Sequence, residues 1–183
     1  SIAISGAGIG GLTTALSLAS IGRSVKIFEK SARLDPIGAG IQLSPNALKV
    51  LRNLGLEGAL SSFSAYPQAI SICSGKTGKQ ITRLPLGRAF ENQFGAPYAV
   101  IHRGDLQQAL MLACKSEPNI EIIQPSNIMK LSEQNDNIAF EYSTQNSSQS
   151  ENADVVVLAD GIWSQLRQTT LNLTPPSPAR KTA

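Results

Sequence analysis

In the stretch Gly6-Ala7-Gly8-Ile9-Gly10-Gly11, glycines stand at the spacing Gly-x-Gly-x-x-Gly, and an acid, Glu29, lies 18 positions past Gly11 (29 − 11). Gly6 permits a tight turn, Gly8 leaves no Cβ between the backbone and a pyrophosphate, and Gly11 lets a following helix pack close to a sheet. The start of that helix presents unpaired backbone N–H groups and the positive end of a dipole to an anion. A carboxylate roughly 20 residues on suits ribose hydroxyls and disfavours a 2′-phosphate. The chemistry is recognition of an adenine dinucleotide, and FAD and NAD both satisfy it.

Glycine-rich turns are common, so the elements around them carry the weight. Ile2 to Ser5 reads as a first strand and Val25 to Phe28 as a second. Between them Leu12, Ala15, Leu16 and Ala19 recur at helical spacing, with Gly22 as the stop. Lys30 to Leu43 reads as a long connection before Ser44-Pro45 opens a helix with a buried face of Ala47, Leu48, Leu51 and Leu54, ended by Gly55. Ala69 to Leu84 predicts a hairpin turning at Gly75-Lys76-Thr77-Gly78. Arg103 to Lys115 predicts a helix with Leu106, Ala109, Leu110 and Ala113 on one face, and Pro118 just beyond it.

Asn127 to Tyr142 alternates around a turn at Asn135-Asp136-Asn137, with Ile138, Phe140 and Tyr142 on one face. Polar Gln145 to Asn152 reads as a solvent loop. Val155 to Ala159 is apolar on both faces, as a buried parallel strand is, and Asp160-Gly161 closes it. Thr174-Pro175-Pro176-Ser177-Pro178 predicts an extended tail. The fold class is therefore α/β, a Rossmann-like domain with a parallel sheet and inserted antiparallel hairpins. A plain NAD domain of regularly alternating strands and helices lacks such hairpins, which favours a flavoprotein.

The length of 183 residues suits one domain with a sizeable core. A net charge of +3 spread along the chain, with aromatics at 5%, argues against a nucleic-acid groove and fits anionic small molecules. Cys73 and Cys114 show neither metal spacing nor a disulfide framework, so both are expected to be reduced thiols of a cytoplasmic protein, placed for packing. No signal peptide and no apolar run near the roughly 18 residues of a membrane span is visible. The lone His102 has no second imidazole with which to share a metal, and it reads as structural or supporting.

Four ordered segments together carry a resemblance: Gly6 to Gly11 with Glu29-Lys30; Gly38-Ala39-Gly40-Ile41-Gln42-Leu43-Ser44-Pro45-Asn46-Ala47; His102-Arg103-Gly104-Asp105-Leu106; and Ala159-Asp160-Gly161-Ile162-Trp163-Ser164-Gln165-Leu166-Arg167. Over nearly its whole length the chain resembles the single-component FAD-dependent aromatic hydroxylases, salicylate hydroxylase and the hydroxybenzoate hydroxylases in particular. The resemblance implies cofactor-binding roles for Gly6, Gly8, Gly11, Glu29, Lys30, Gly40, Gln42, Arg103, Asp160 and Gly161. Asp160-Gly161 matches a motif near the FAD pyrophosphate that is also associated with NADH or NADPH use. Arg103 matches an arginine that clamps the FAD phosphates or ribityl chain, and its planar fork suits phosphate oxygens. Gly38 to Gln42 matches a loop passing close to the flavin. Ser164 and Arg167, one helical turn apart, are expected to brace the corner.

By resemblance the complete enzyme reduces FAD with NADH or NADPH and places one atom of O2 on a phenolic aromatic acid. The flavin carries that chemistry while the protein supplies position and excludes water. No metal site and no catalytic base is assigned. The family's further Gly-Asp motif has no counterpart after Arg167, and Gly104-Asp105 stands at the wrong helix to be it. The chain is therefore expected to be an N-terminal part of the architecture, with residues 69–84 starting a substrate-domain sheet. Two other classes stay open: another FAD-dependent oxidoreductase, such as a reductase or an epoxidase acting on an isoprenoid or quinone precursor, and a non-catalytic dinucleotide-binding module.

Overall fold

Short runs of β-branched and aliphatic residues build a four-stranded parallel sheet, because strands buried on both faces need apolar side chains on both. The computed structural model describes residues 1–33, 40–145, 147–171 and 173. β1 (Ile2–Ser5), α1 (Ile9–Ala19) and β2 (Val25–Phe28) open the chain. Next come β3 (Gly40–Leu43), α2 (Pro45–Asn53), α3 (Glu57–Ser61), β4 (Ser64–Ala65), β5 (Ala69–Cys73), β6 (Gln80–Pro85), α4 (Arg88–Phe94) and β7 (Ala99–His102). α5 (Arg103–Ser116), β8 (Ile120–Ile123), β9 (Asn127–Gln134), β10 (Asn137–Ser143), β11 (Ser148–Ala153), β12 (Val155–Leu158) and α6 (Gln165–Leu171) complete the order. Two compact units result, one from Ser1–Leu34 with Leu110–Ala183 and one from Asp35–Ala109.

The first unit holds the parallel sheet in the order β12-β1-β2-β8. β1 is in register with both neighbours, Ile4 lying opposite Val157 on one side and Ile27 on the other. One face carries Ile4, Val25 and Ile27, all buried, and α1 packs on β1, β2 and β8 through its buried stripe of Leu12, Ala15, Leu16 and Ala19. The other face carries Ala3 and Phe28, which join Phe140, Tyr142, Ile128, Ala153 and Leu166 in one core cluster. The Phe28 ring meets Phe140 edge-on at 5.3 Å and Tyr142 at 4.8 Å. This aromatic contact ties the antiparallel sheet β11-β10-β9 to β2, the strand that Glu29 follows.

The second unit is built from the three-stranded antiparallel sheet β3-β7-β4 and the two-stranded ribbon β5-β6. Gly40 lies opposite His102 and Gln42 opposite Val100, so these four share one face. Leu43, Ala99 and Ile101 are buried on the other.

Several expectations need correction. Gln145 to Asn152 is not a solvent loop throughout, since Ser148–Ala153 is β11, with Glu151 opposite Phe140 and Gln149 opposite Tyr142. Its side chains carry no apolar pattern, and its backbone ladder to β10 makes it a strand. Val155–Leu158 is parallel but not buried. Among the described residues it is an edge strand, with Val155 48% exposed. Lys30 to Leu43 is not all connection, because Gly40–Leu43 pairs as β3. Ser44 stands at the N-cap of α2 without a side-chain cap bond, its hydroxyl donating to Asn46 Oδ1 instead, and of the expected face only Leu51 is fully buried. Gly38, Ala39 and the tail over Thr174–Pro178 lie outside the described residues.

Candidate functional site

The first unit's sheet reverses its order between β1 and β12: β2 and β8 extend to one side of β1, and β12 lies on the other. Open α/β sheets bind ligands at the carboxyl ends of the strands flanking such a switch point. Those ends are Ser5-Gly6 and Leu158-Ala159-Asp160, and they touch. Gly6 has φ +102°, and a Cβ there would lie 2.6 Å from the Ala159 carbonyl oxygen and 2.9 Å from Asp160 Cα. A Cβ on Gly11 would lie 1.9 Å from the Gly6 carbonyl oxygen and 3.4 Å from Ile4 Cγ2. Both glycines are thus demanded by the protein's own packing. The expected approach of Gly11 to the sheet is real, but the turn's carbonyl is the tighter neighbour.

Gly8 differs. It is the extended N-cap residue of α1, and a Cβ built on it meets nothing within 4 Å. The helix start has no side-chain cap and no acidic residue in its first turn. Its donors and dipole therefore face a gap that the backbone of Gly8 leaves free of any side chain, the form of cradle a pyrophosphate requires.

Glu29 is 7% exposed and turned onto this corner. The Ala7 N–H donates to its Oε2 at 2.7 Å and the Ser31 N–H to its Oε1 at 2.8 Å. The Gly6 N–H donates to the Phe28 carbonyl, which binds the glycine turn to the end of β2. Sequence reasoning gave this acid to a ribose and missed its internal task of holding Ala7 and Ser31. Each carboxylate oxygen keeps acceptor capacity beyond the one bond described. Lys30, the next residue, is exposed.

Asp160 follows β12, and its Oδ1 is a buried oxygen with no hydrogen-bond partner among the described residues. Buried carboxylate oxygens are normally satisfied, so an orphan beside Gly6 fits a site completed by a ligand or water. A Cβ on Gly161, at φ +85°, would also meet nothing within 4 Å. Ser164 and Arg167 brace the corner as expected: the Arg167 N–H donates to Ser164 Oγ and the Arg167 Nη2 to the Ile162 carbonyl, both at 2.9 Å. Ser126 was missed by sequence reasoning. It is 2% exposed, and its N–H donates to the Glu29 carbonyl at 2.7 Å.

In the second unit the β3–β7 ladder sets Gly40 opposite His102 and Gln42 opposite Val100, and Arg103 follows His102 directly. Two motifs some 60 residues apart in the sequence thus meet on neighbouring strands, and β7 leads into α5. Arg103 is exposed and is the first residue of α5. Cys114, by contrast, is structural. Burial pushes its thiol up to about 11, and its Sγ lies 3.6 Å from the Leu12 carbonyl.

A parallel sheet of this order, with a glycine turn, an open helix start and an acid closing the second strand, defines a dinucleotide-binding α/β fold of the Rossmann type, and these residues fit an adenine dinucleotide. The chain belongs to the FAD binding domain family, whose pattern it matches over residues 1–178. It is 37% identical over 167 residues to 3-hydroxybenzoate 6-hydroxylase 1 of Aquipseudomonas alcaligenes, covering 91% of this chain and 42% of that protein. It is 36% identical over 174 residues to the 3-amino-4-hydroxybenzoate 2-monooxygenase of Streptomyces cremeus, covering 95% of this chain and 43% of the relative. The chain therefore spans less than half the length of these curated relatives. In fold it is similar to the p-nitrophenol 4-monooxygenase PnpA of Pseudomonas putida DLL-E4, with a TM-score of 0.83 at 22% identity over 91% of this chain and 42% of that one. It is likewise similar to Klebsiella pneumoniae HpxO complexed with FAD and uric acid, with a TM-score of 0.75 at 25% identity over 96% of this chain and 43% of that one.

Proposed function

We propose that this chain is the FAD-holding part of a monooxygenase that hydroxylates a phenolic aromatic acid with NADH or NADPH and O2. The observation that carries the cofactor assignment is the contrast between Gly6 and Gly11, closed by the protein itself, and Gly8, open at the start of α1. The aromatic-acid substrate is supported by relatives named for hydroxybenzoates at 36–37% identity.

Gly8 and the first turn of α1 take the pyrophosphate, with Gly6 and Gly11 shaping the turn. Glu29 accepts the ribose hydroxyls, and Lys30 adds positive charge beside it. Asp160 and Gly161 complete the phosphate corner, and Arg103 holds phosphate oxygens. By resemblance Gly40 and Gln42 belong to a stretch passing close to the flavin. FAD, when bound, supplies the electron transfer and oxygen activation that no side chain of this chain provides.

The whole chain serves as the FAD-binding domain, and residues 69–84 start a substrate-domain sheet. In support, Ile72 and Leu84 share a face of the β5-β6 ribbon and stand 53% and 52% exposed, and a two-stranded ribbon rarely stands alone. Among the described residues no helix is long and apolar enough to cross a membrane. We assign the protein to the cytoplasm on its two free cysteines.

Two measurements test the assignment. FAD titrated into the chain should quench the fluorescence of Trp163, the one tryptophan, which is 61% exposed and two residues past Gly161. An unchanged emission and a colourless protein would exclude the cofactor. With the full-length protein, a hydroxybenzoate should stimulate NAD(P)H oxidation with stoichiometric hydroxylated product. Oxidation without product would leave an oxidase.

A further inference from the structure

We infer that His102 is a positioning residue for Arg103, an inference that rests on Arg103 serving the cofactor phosphates. β7 ends at His102 and α5 begins at Arg103, so strand passes into helix with no connecting residue. The Gly104 N–H, second in the helix, donates to His102 Nδ1 at 3.2 Å. That is the bond an N-cap side chain makes, a role usually filled by Ser, Thr, Asp or Asn. Here an imidazole lone pair replaces the usual oxygen. Across the ladder His102 faces Gly40, which has no side chain to compete with the ring for space.

The consequence falls on Arg103. Its backbone is held on one side by the β3–β7 ladder at His102 and on the other by the capped amide of Gly104, so its side chain starts from a fixed point. Without the cap the first turn frays, and ordering Arg103 around an anion then costs more conformational entropy. The bond also sets the chemistry of the ring. Only neutral imidazole has a nitrogen that accepts, and with Nδ1 accepting, the proton sits on Nε2. The charged residues that follow His102 in the chain are Arg103 and Asp105, in the first turn of α5. β3 and β4, which flank β7, bring none, because Gly40–Leu43 and Ser64–Ala65 contain no titratable residue.

The test combines FAD affinity with exchange of the Gly104 amide, on the full-length protein and on His102→Leu, His102→Asn and Arg103→Ala. His102→Leu should weaken FAD binding by roughly twofold to thirtyfold, the span that loss of one cap allows, and should deprotect the Gly104 amide. His102→Asn, which caps with an amide oxygen, should restore both. Equal affinities for Leu and wild type, or an Asn variant as weak as Leu, would overturn the inference. Arg103→Ala separates the two layers. If it binds FAD as wild type does while Gly104 still loses protection in the Leu variant, the cap stands and the role of Arg103 on the phosphates, with the positioning it implies, is lost.

Discussion

The two ends of the parallel sheet use similar side chains to opposite ends. At the amino ends Lys26 on β2 reaches Glu151 Oε2 on β11 at 2.7 Å, and the Tyr142 hydroxyl donates to Glu151 Oε1 at 2.8 Å and sits 2.6 Å from the Gln149 side-chain oxygen. A cavity of about 300 Å³ lies there among Ile2, Val25, Lys26, Phe140 and Glu151, but its charges already answer one another. The hydrogen bond that Lys26 donates to Glu151 raises Lys26 despite burial. Burial draws Glu151 upward, and bonds from Lys26 and Tyr142 outweigh it and leave it lowered. Burial first, then Glu151, pushes Tyr142 up to about 12. At the carboxyl ends Asp160 Oδ1 has no partner among the described residues and Gly8 leaves a gap. The ionic cluster at the amino ends completes itself, whereas the carboxyl ends leave the Asp160 oxygen uncompleted among the described residues.

The sharpest break in this comparison is steric. Gly11→Ala puts a methyl 1.9 Å from a carbonyl oxygen and should cost at least about 3 kcal/mol in stability, read as a lowered midpoint of denaturant unfolding. Gly10→Ala, with nothing within 4 Å, should match or exceed wild type by up to about 1 kcal/mol. If both unfold alike, the corner is looser than described.

Next in size, Gly8→Val should leave unfolding nearly unchanged yet weaken FAD on the order of a hundredfold, since the branched side chain would fill the open space proposed for the pyrophosphate. Normal FAD affinity would move the phosphate elsewhere. Glu29→Ala should cost roughly 1.5–3 kcal/mol of FAD binding from charge-assisted bonds. It should also lower stability, because the Ala7 and Ser31 amides lose their acceptor.

The smallest effect lies at the other end of the sheet. Lys26→Met should leave FAD affinity untouched and change stability by no more than about 1 kcal/mol, because the Lys26 side chain is 43% exposed and the pair is screened. The lowered Glu151 contributes stability above the ordinary Glu value of about 4.3 and loses it as pH falls through its depressed value. The raised Lys26 contributes below about 10.4 and loses its share as pH rises through its raised value. The pair's contribution is therefore full between those limits. A Lys26→Met variant whose stability follows the wild-type pH profile at both extremes would detach the pair from folding.

Much of the site was legible because local rules governed it. The stripe from Leu12 to Ala19, the Gly6 turn and the acid after Phe28 follow from spacing within 30 residues. Polar β11 was not legible, since nothing in Ser148–Ala153 alternates and its pairing with β10 is a backbone matter. Nor was the exposure of Val155, because an apolar run is the same string at a sheet's edge as at its centre.

By itself the sequence determined a βαβ unit able to cradle a diphosphate, because the turn, the helix start and the strand end are set by neighbouring residues. Only the tertiary structure decided which glycines serve packing and which stand open, and that Glu29 holds the turn from within. It alone set Gly40 opposite His102. Those facts depend on chain segments that meet across long separations, such as Gly6 against Ala159, and no local pattern encodes such a distance.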